Sequence, residues 1–242
     1  MPTAGPALSL VIPAYNEARR LPPYLASIRV YLDRAYAGGY EVLVVDDGSS
    51  DDLSEIIGRL AADWPQLRCI RHPENRGKGA AVRTGMLAAR GELLLFADAD
   101  GATPIDEEAR LAAAIRAGAD LAVGSRLLSD AEHRCRRPWF RRLAGWTFAA
   151  TARRLLRLPV RDTQCGFKMF RREAGQMIFA AAVEPRFLFD LEVLSLAQRF
   201  GYRIVEIPIN WTEVPGGQFS LVGEFPRVLA GLLRLRRRLN RG

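Results

Sequence analysis

The sequence predicts an α/β fold, a single Rossmann-like, mostly parallel sheet with helices on both faces, and three observations carry that prediction. Within the first hundred residues, short runs rich in Val, Ile and Leu alternate with stretches of helical spacing, the pattern of βαβ crossovers. The run Leu93-Leu-Leu-Phe-Ala97 is apolar throughout, as a strand covered on both faces has to be. Three of the first four strands run into acids or into an aromatic-polar loop, and a parallel arrangement gathers those loops on the carboxyl edge where such sheets bind ligands.

In chain order, residues 8–12 form a first strand stopped by Pro13, and 17–35 a helix with Leu21, Leu25, Ile28 and Leu32 on one face. The joint Pro13-Ala-Tyr-Asn-Glu17 can floor a planar base, with Tyr15 as a stacking face and Asn16 or Glu17 as a polar anchor. A plain turn has the same composition. Residues 40–46 are the second strand, running into Asp47-Gly-Ser-Ser-Asp-Asp52 and a helix marked by Leu53, Ile56, Ile57 and Leu60. Ser49, Ser50 or Asp51 caps that helix. Asp46 and Asp47 remain, and two carboxylates ending a buried strand require a donor or an ion, such as a base imide or a ribose hydroxyl.

A third strand, 67–71, leads to His72-Pro-Glu-Asn-Arg-Gly-Lys-Gly-Ala80 and a helix to residue 89. The GxxxxGK[ST] phosphate loop is absent, yet Lys78 at a helix amino terminus suits a diphosphate neighbour. The fourth strand ends in Asp98-Ala-Asp100. Side chains alternate along a strand, so Asp98 and Asp100 share a direction and offer oxygen to a hard divalent cation. The spacing alone is equally that of a solvated turn.

Residues 104–117 read as a helix and 120–124 as a fifth strand ending in Ser125-Arg126; 139–158 then mixes aromatic residues with arginines in a helix with one apolar and one cationic face. Such a helix is either ordinary surface or a segment lying on anionic lipid. After the loop Asp162-Thr-Gln-Cys-Gly-Phe-Lys-Met-Phe170 come a strand, a helix, and a second helix whose start buries Asp190 and Glu192. Residues 203–208 form a late strand paired with 209–213, and 222–239 a closing helix.

The 242 residues, 49% of them apolar, are enough for one large core. Cys69, Cys135 and Cys165 form no CxxC pair and fit a reducing compartment, and His72 and His133 are too few for a His-based zinc site. No cationic-then-apolar leader opens the sequence and no apolar stretch reaches the roughly 20 residues of a membrane span, so any membrane contact is expected to be peripheral, on the cytoplasmic face. A net charge of +8 calls for an anionic partner: nucleic acid, lipid headgroup or sugar nucleotide. The arginines crowd into 133–161 and 225–242, stretches without a single acid. They stay away from the nucleotide edge, and no nucleic-acid motif accompanies them, which disfavours a nucleic-acid-binding protein.

Taken together, VIPAYNE, VVDDGSSD, NRGKGAAVRTG and FADAD stand in the order and spacing of the family 2 inverting glycosyltransferases, and the chain resembles that family over nearly its whole length. The later ADGAT, GSR, DTQCGFK and FDLE segments are similar to the branch that glycosylates polyprenyl phosphates. The resemblance implies a GT-A fold in one catalytic domain, 1–242, with a nucleotide-sugar half (1–124), an acceptor half (125–220) and a basic amphipathic helix (221–242). It implies that Pro13, Tyr15, Glu17 and Asp47 hold the nucleoside, with Lys78 nearby. Asp98 and Asp100 would face the sugar and a Mg²⁺- or Mn²⁺-bound diphosphate, both as metal ligands. Ser125, Arg126, Arg141 and Arg142 would bind the acceptor's phosphate, and Asp190 would stand at the acceptor as an orienting group. The implied reaction is transfer of glucose from UDP-glucose to a polyprenyl (dolichyl) phosphate with inversion. The alternatives are GDP-mannose as donor or a glycan hydroxyl as acceptor, for which Asp190 would be a true base. One departure stands out: the glutamine that in the mannosyl branch follows the second acid by two positions is Ala102 here. Metal binding would then rest on Asp100, phosphates and water.

Overall fold

The computed structural model describes residues 5–128, 135–136, 150–212, 214 and 230–238. Its strands are β1 (Leu8–Ala14), β2 (Tyr40–Asp46), β3 (Leu67–Arg71), β4 (Leu93–Ala97), β5 (Leu121–Ser125), β6 (Cys135–Arg136), β7 (Phe167–Arg171), β8 (Ile204–Pro208) and β9 (Trp211–Thr212). The helices are α1 (Leu21–Tyr36), α2 (Leu53–Ala62), α3 (Lys78–Ala88), α4 (Glu108–Arg116), α5 (150–156), α6 (Arg172–Ala181), α7 (Phe189–Arg199) and α8 (230–238).

Seven strands form one sheet in the order β3-β2-β1-β4-β7-β5-β8, parallel except for β7, which runs antiparallel to both β4 and β5. Alternation along the strands builds two apolar layers. Leu10 and Ile12 of β1, Val42 and Val44 of β2 and Leu95 of β4 face α1, α2 and α4. Val11, Leu43, Val45, Leu94 and Phe96 face α3, α6 and α7. Burying both faces is what produced the unbroken apolar runs in the sequence.

Three details depart from the sequence reading. Pro13 does not stop β1, which continues to Ala14 in register with β2, Pro13 opposite Val45. β4 pairs with β1 only as far as Val11, so Pro13 lies where the strand has one neighbour and its missing N–H breaks no second ladder. The first helix begins at Leu21 rather than at residue 17, with Pro in its first turn, where an absent N–H costs nothing. Of the expected hairpin arm 209–213, the described residues 209–212 do not pair with β8: β8 pairs parallel with β5, and Trp211–Thr212 pair with Cys135–Arg136. The expected helices 139–158 and 222–239 are described at 150–158 and 230–238; the first is helical over 150–156 and ends before Arg157, the second over 230–238.

At the opposite, amino edge a buried carboxylate ties three strands. Glu41, 4% exposed, accepts from Ser9 Oγ (2.6 Å), the Arg90 amide (2.7 Å) and the Arg68 guanidinium (3.0 Å). Burial alone would raise its pKa, but these donors outweigh it and hold the group below the ordinary carboxylate range. Glu41→Ala should therefore cost about 1–3 kcal/mol in urea unfolding at neutral pH, because Ser9 and the Arg90 amide lose their acceptor. A depressed folded-state pKa contributes stability only above the unfolded value, so the gap to wild type should close as pH falls through the acid range below that of a free glutamate.

Candidate active site

Because β1, β2, β4 and β5 are parallel, their carboxyl ends open on one rim, and because β7 is antiparallel it brings its beginning there. Residues 162–166 thus arrive beside Asp98 although they are distant in sequence: the Asp98 amide donates to the Gly166 carbonyl at 3.1 Å. Gly166 is required at this contact, since a Cβ there would lie 2.1 Å from Asp98 Oδ2.

The first two loops are stitched together. The Asn16 amide donates to Ser49 Oγ (2.9 Å), the Ser50 amide to Asn16 Oδ1 (2.9 Å) and the Ala18 amide to Asp51 Oδ2 (2.9 Å). Asn16 adopts a left-handed backbone, φ 55°, a conformation asparagine tolerates. Tyr15 is left 36% exposed on the rim, and Glu17 is paired with Arg20, whose Nε lies 2.7 Å from its Oε2. Asp46 accepts from the Ser49 amide at 2.8 Å and from the Ser54 hydroxyl, so it is spent on the loop. Asp47 is buried and accepts from His72 Nδ1 (2.7 Å), the Arg76 amide (3.0 Å) and the Gly77 amide (2.7 Å). A carboxylate has about four lone-pair sites, so one stays available.

The residue after Gly77 continues the chain of charge. Lys78 Nζ lies 2.5 Å from Asp98 Oδ1, both side chains about two-fifths exposed. Asp100 accepts from the Ala102 amide at 3.0 Å. Burial, and then the neighbouring Asp98, push its pKa up, with Lys78 and Arg20 opposing. Behind this layer Lys168 is fully buried, donates to the Cys165 carbonyl at 2.6 Å and to Asp190, and stands 5.3 Å from the centre of the Phe96 ring. Burial raises the Asp190 pKa, while the ammoniums of Lys168 and Lys78 pull it back. From Asp98 inward the charges alternate, Asp98, Lys78, Asp190 and Lys168, with Asp100 beside Asp98 at the rim.

At the end of β5 Ser125 is buried and its Oγ accepts from the Leu127 and Leu128 amides, capping a turn. Arg126 grips Asp162 through Nε and Nη2, each at 2.7 Å, and its amide donates to the same carboxylate at 2.9 Å. Burial opposes the charge on Asp162, but Arg126 holds its pKa at about 2. The fork occupies two of five guanidinium N–H donors. Thr163 Oγ1 and Gln164 Nε2 are buried with no partner among the described residues. Arg141 and Arg142 lie outside the described residues.

Asp98 and Asp100 offer carboxylate oxygens to a cation, and the raised pKa of Asp100 marks a place where positive charge is favourable. No third His, Cys, Asp or Glu joins them among the described residues. That donor set fits a hard cation of the Mg²⁺ type, which takes one or two carboxylates and completes its shell with phosphate and water.

Sequence reasoning passed over Lys168, Asp162, Arg20 and Gly166. One signal for the first was present: Lys78 and Lys168 are the only lysines in an arginine-rich chain, and both stand at this site, where a compact ammonium fits and a guanidinium fork does not.

The family model described as "Glycosyl transferase family 2" matches residues 9–179. Dolichyl-phosphate beta-glucosyltransferase of Homo sapiens is 39% identical over 226 residues, covering 87% of this chain and 69% of that protein. The Saccharomyces cerevisiae protein of the same name is 35% identical over 246 residues, covering 95% and 74%. Dolichyl-phosphate beta-glucosyltransferase ALG5C of Trichomonas vaginalis is 37% identical, covering 89% and 66%; the chain thus spans about two thirds to three quarters of these relatives' lengths. Glucosyl-3-phosphoglycerate synthase from Mycobacterium tuberculosis, solved with Mn²⁺, UDP and glucosyl-3-phosphoglycerate, shares the fold at TM-score 0.70 and 21% identity, over 96% of this chain and 80% of that one. Mannosyltransferase PcManGT from Pyrobaculum calidifontis, solved with GDP-Man and Mn²⁺, shares it at TM-score 0.61 and 21% identity, over 93% and 62%.

Lys168→Met should cost about 3–5 kcal/mol in urea unfolding, because it leaves Asp190 charged, buried and unpaired. The double change Lys168→Met with Asp190→Leu should recover most of that loss. Equal losses in the single and double variants would show that packing alone, and not the ion pair, is at stake.

Proposed function

The chain belongs to glycosyl transferase family 2, an enzyme with the GT-A fold, and on that premise we propose that it transfers glucose from UDP-glucose to a polyprenyl phosphate, with inversion at the anomeric carbon. The names of its relatives supply dolichyl phosphate as acceptor. The observation that carries the reading is one rim where the Tyr15 loop, Asp47, Lys78, Asp98 and Asp100 meet beside a loop held by Arg126.

In this reading residues 1–124 serve the donor and 125–220 the acceptor. Pro13, Tyr15 and the Glu17–Arg20 pair wall the base, with Tyr15 offering its ring. Asp47 fixes the Arg76–Gly77 turn, keeps one acceptor site toward the nucleoside and sets Lys78 beside the diphosphate. Asp98 and Asp100 hold the sugar and a Mg²⁺ or Mn²⁺ ion, which when bound supplies positive charge to the leaving diphosphate. Ser125 closes the turn that presents Arg126, whose remaining donors meet the acceptor's phosphate together with Arg141 and Arg142.

A phosphate oxygen attacks the anomeric carbon from the face opposite the nucleotide, and the bond to the diphosphate breaks as the new one forms. A phosphate monoester is already ionised at neutral pH, so no proton has to be removed. In that chemistry Asp190, paired with Lys168, has only to orient neighbouring groups. Among the described residues no helix is long and apolar enough to cross a membrane, and the enzyme is proposed to meet its acceptor by peripheral contact at the cytoplasmic face.

Purified protein with Mg²⁺ or Mn²⁺, polyprenyl phosphate and a panel of UDP- and GDP-sugars should form lipid-linked product from UDP-glucose. EDTA and Asp100→Asn should each abolish it; turnover indifferent to chelator removes the metal assignment, and turnover of GDP-mannose alone replaces the donor. Asp190→Asn should lower kcat less than tenfold, whereas a loss of about 10²-fold or more would point to a hydroxyl acceptor and a true base. Gly166→Ala should retain the fold and lose about 10²-fold in kcat/KM, since its methyl would displace the Asp98 carboxylate by an ångström or more.

A further inference from the structure

We propose that α5 and α8 together form a cationic cradle that seats the protein on an anionic bilayer surface through lipid phosphate groups. Thr151, Arg154, Leu155, Arg157 and Arg236 line an open groove of about 410 Å³ between the two helices. Arg153, Arg154, Arg157, Arg234, Arg236 and Arg237 are all exposed, and none has an ion-pair partner among the described residues. Guanidiniums gathered without an acid repel one another, and the arrangement is relieved by an anion.

Arg157 adds an independent observation. It ends α5 in the left-handed region, φ 56°, with the Leu158 amide donating to the Arg153 carbonyl at 3.0 Å. That is the helix-terminating position where glycine is favoured and a β-carbon is strained. Ala37 ends α1 in the same conformation, and at the end of α5 the residue that takes it is an arginine, which adds its charge to the groove.

The cradle is also fixed to the catalytic body. Leu232 and Leu235 of α8 are buried, Gly231 packs so closely on Leu188 that a Cβ would lie 2.5 Å from Leu188 Cδ1, and Arg238 pairs with Glu192 at 2.5 Å. Glu192 in turn accepts from the Val183 and Glu184 amides and lies two residues beyond Asp190 in the first turn of α7. Leu233, 43% exposed, stands among these arginines, and apolar residues beside cationic ones are what an interfacial helix presents. The choice of a lipid surface over another polyanion rests on the reading of the acceptor as lipid-linked.

The 242-residue chain should float with phosphatidylcholine vesicles containing phosphatidylserine and not with phosphatidylcholine alone. Each arginine removed should weaken that binding about fivefold, and Arg154→Gln, Arg157→Gly and Arg236→Gln together about a hundredfold. Arg157→Gly alone should weaken vesicle binding while leaving thermal stability unchanged or raised, a pairing that a purely structural role would not produce. Equal flotation of wild type and triple variant, or tighter capture by duplex DNA than by anionic vesicles at the same ionic strength, overturns the proposal. Glucosyl transfer to a short-chain, detergent-dispersed polyprenyl phosphate reports the chemistry without a bilayer. The triple variant should retain it; wild type that floats but transfers nothing would sink the proposed reaction while leaving the cradle standing.

Discussion

The buried pair between Lys168 and Asp190 is the interaction on which the rest of the site depends. Neither charge survives alone in that interior: Lys168 is fully shielded from water, and Asp190 lies at the start of a helix packed under the sheet. Their pairing exists because β7 enters the sheet antiparallel, placing Lys168 opposite Phe96 of β4 and two positions from Gly166. The same strand direction that buries the lysine brings Gly166 against Asp98 and anchors the neighbouring loop. Reversing β7 would remove the lysine, the glycine and the Asp162 clasp from the rim together.

From this pair the electrostatics build outward in alternation. Lys168 steadies Asp190, Lys78 feels both Asp190 and Asp98, and Asp100 is left with the least compensated charge. A site arranged this way has its deepest charges settled within the protein and its outermost one waiting for a partner, which is the order required where a polyanion comes and goes. The carboxylates at the end of β2 follow the same logic. Asp46 is spent on shaping its own loop, whereas Asp47 reaches across to the turn that positions Lys78.

Much of the framework was legible in the sequence because strands covered on both faces leave continuous apolar runs: 40–46 and 93–97 became β2 and β4 without shift, and the mostly exposed edge strand β3 also kept the bounds 67–71. The acids at their ends were legible for the same reason, since parallel topology fixes where they open. The second half was harder to read. Nothing local in Phe167–Arg171 declares its direction, and the contact of Gly166 with Asp98 follows only once that direction is known. Trp211–Thr212 resembled the return arm of a hairpin, yet its partner is a segment some 76 positions earlier in the chain. Arg126 was legible as a cation at the end of β5 but not as half of a fork, because Asp162 lies 36 residues away. Lys168 was hidden among apolar neighbours that a charge ordinarily avoids.

That fork has a structural corollary. Arg126 and Asp162 join the two ends of a long excursion from the sheet at its neck, and Glu206 of β8 secures the same neck by accepting from the Arg161 and Asp162 amides, each at 2.8 Å. The chain between Arg126 and Asp162 is thereby tied to the sheet at its two ends whatever its own sequence, so substitutions within it should leave the pairing of β5 with β8 intact.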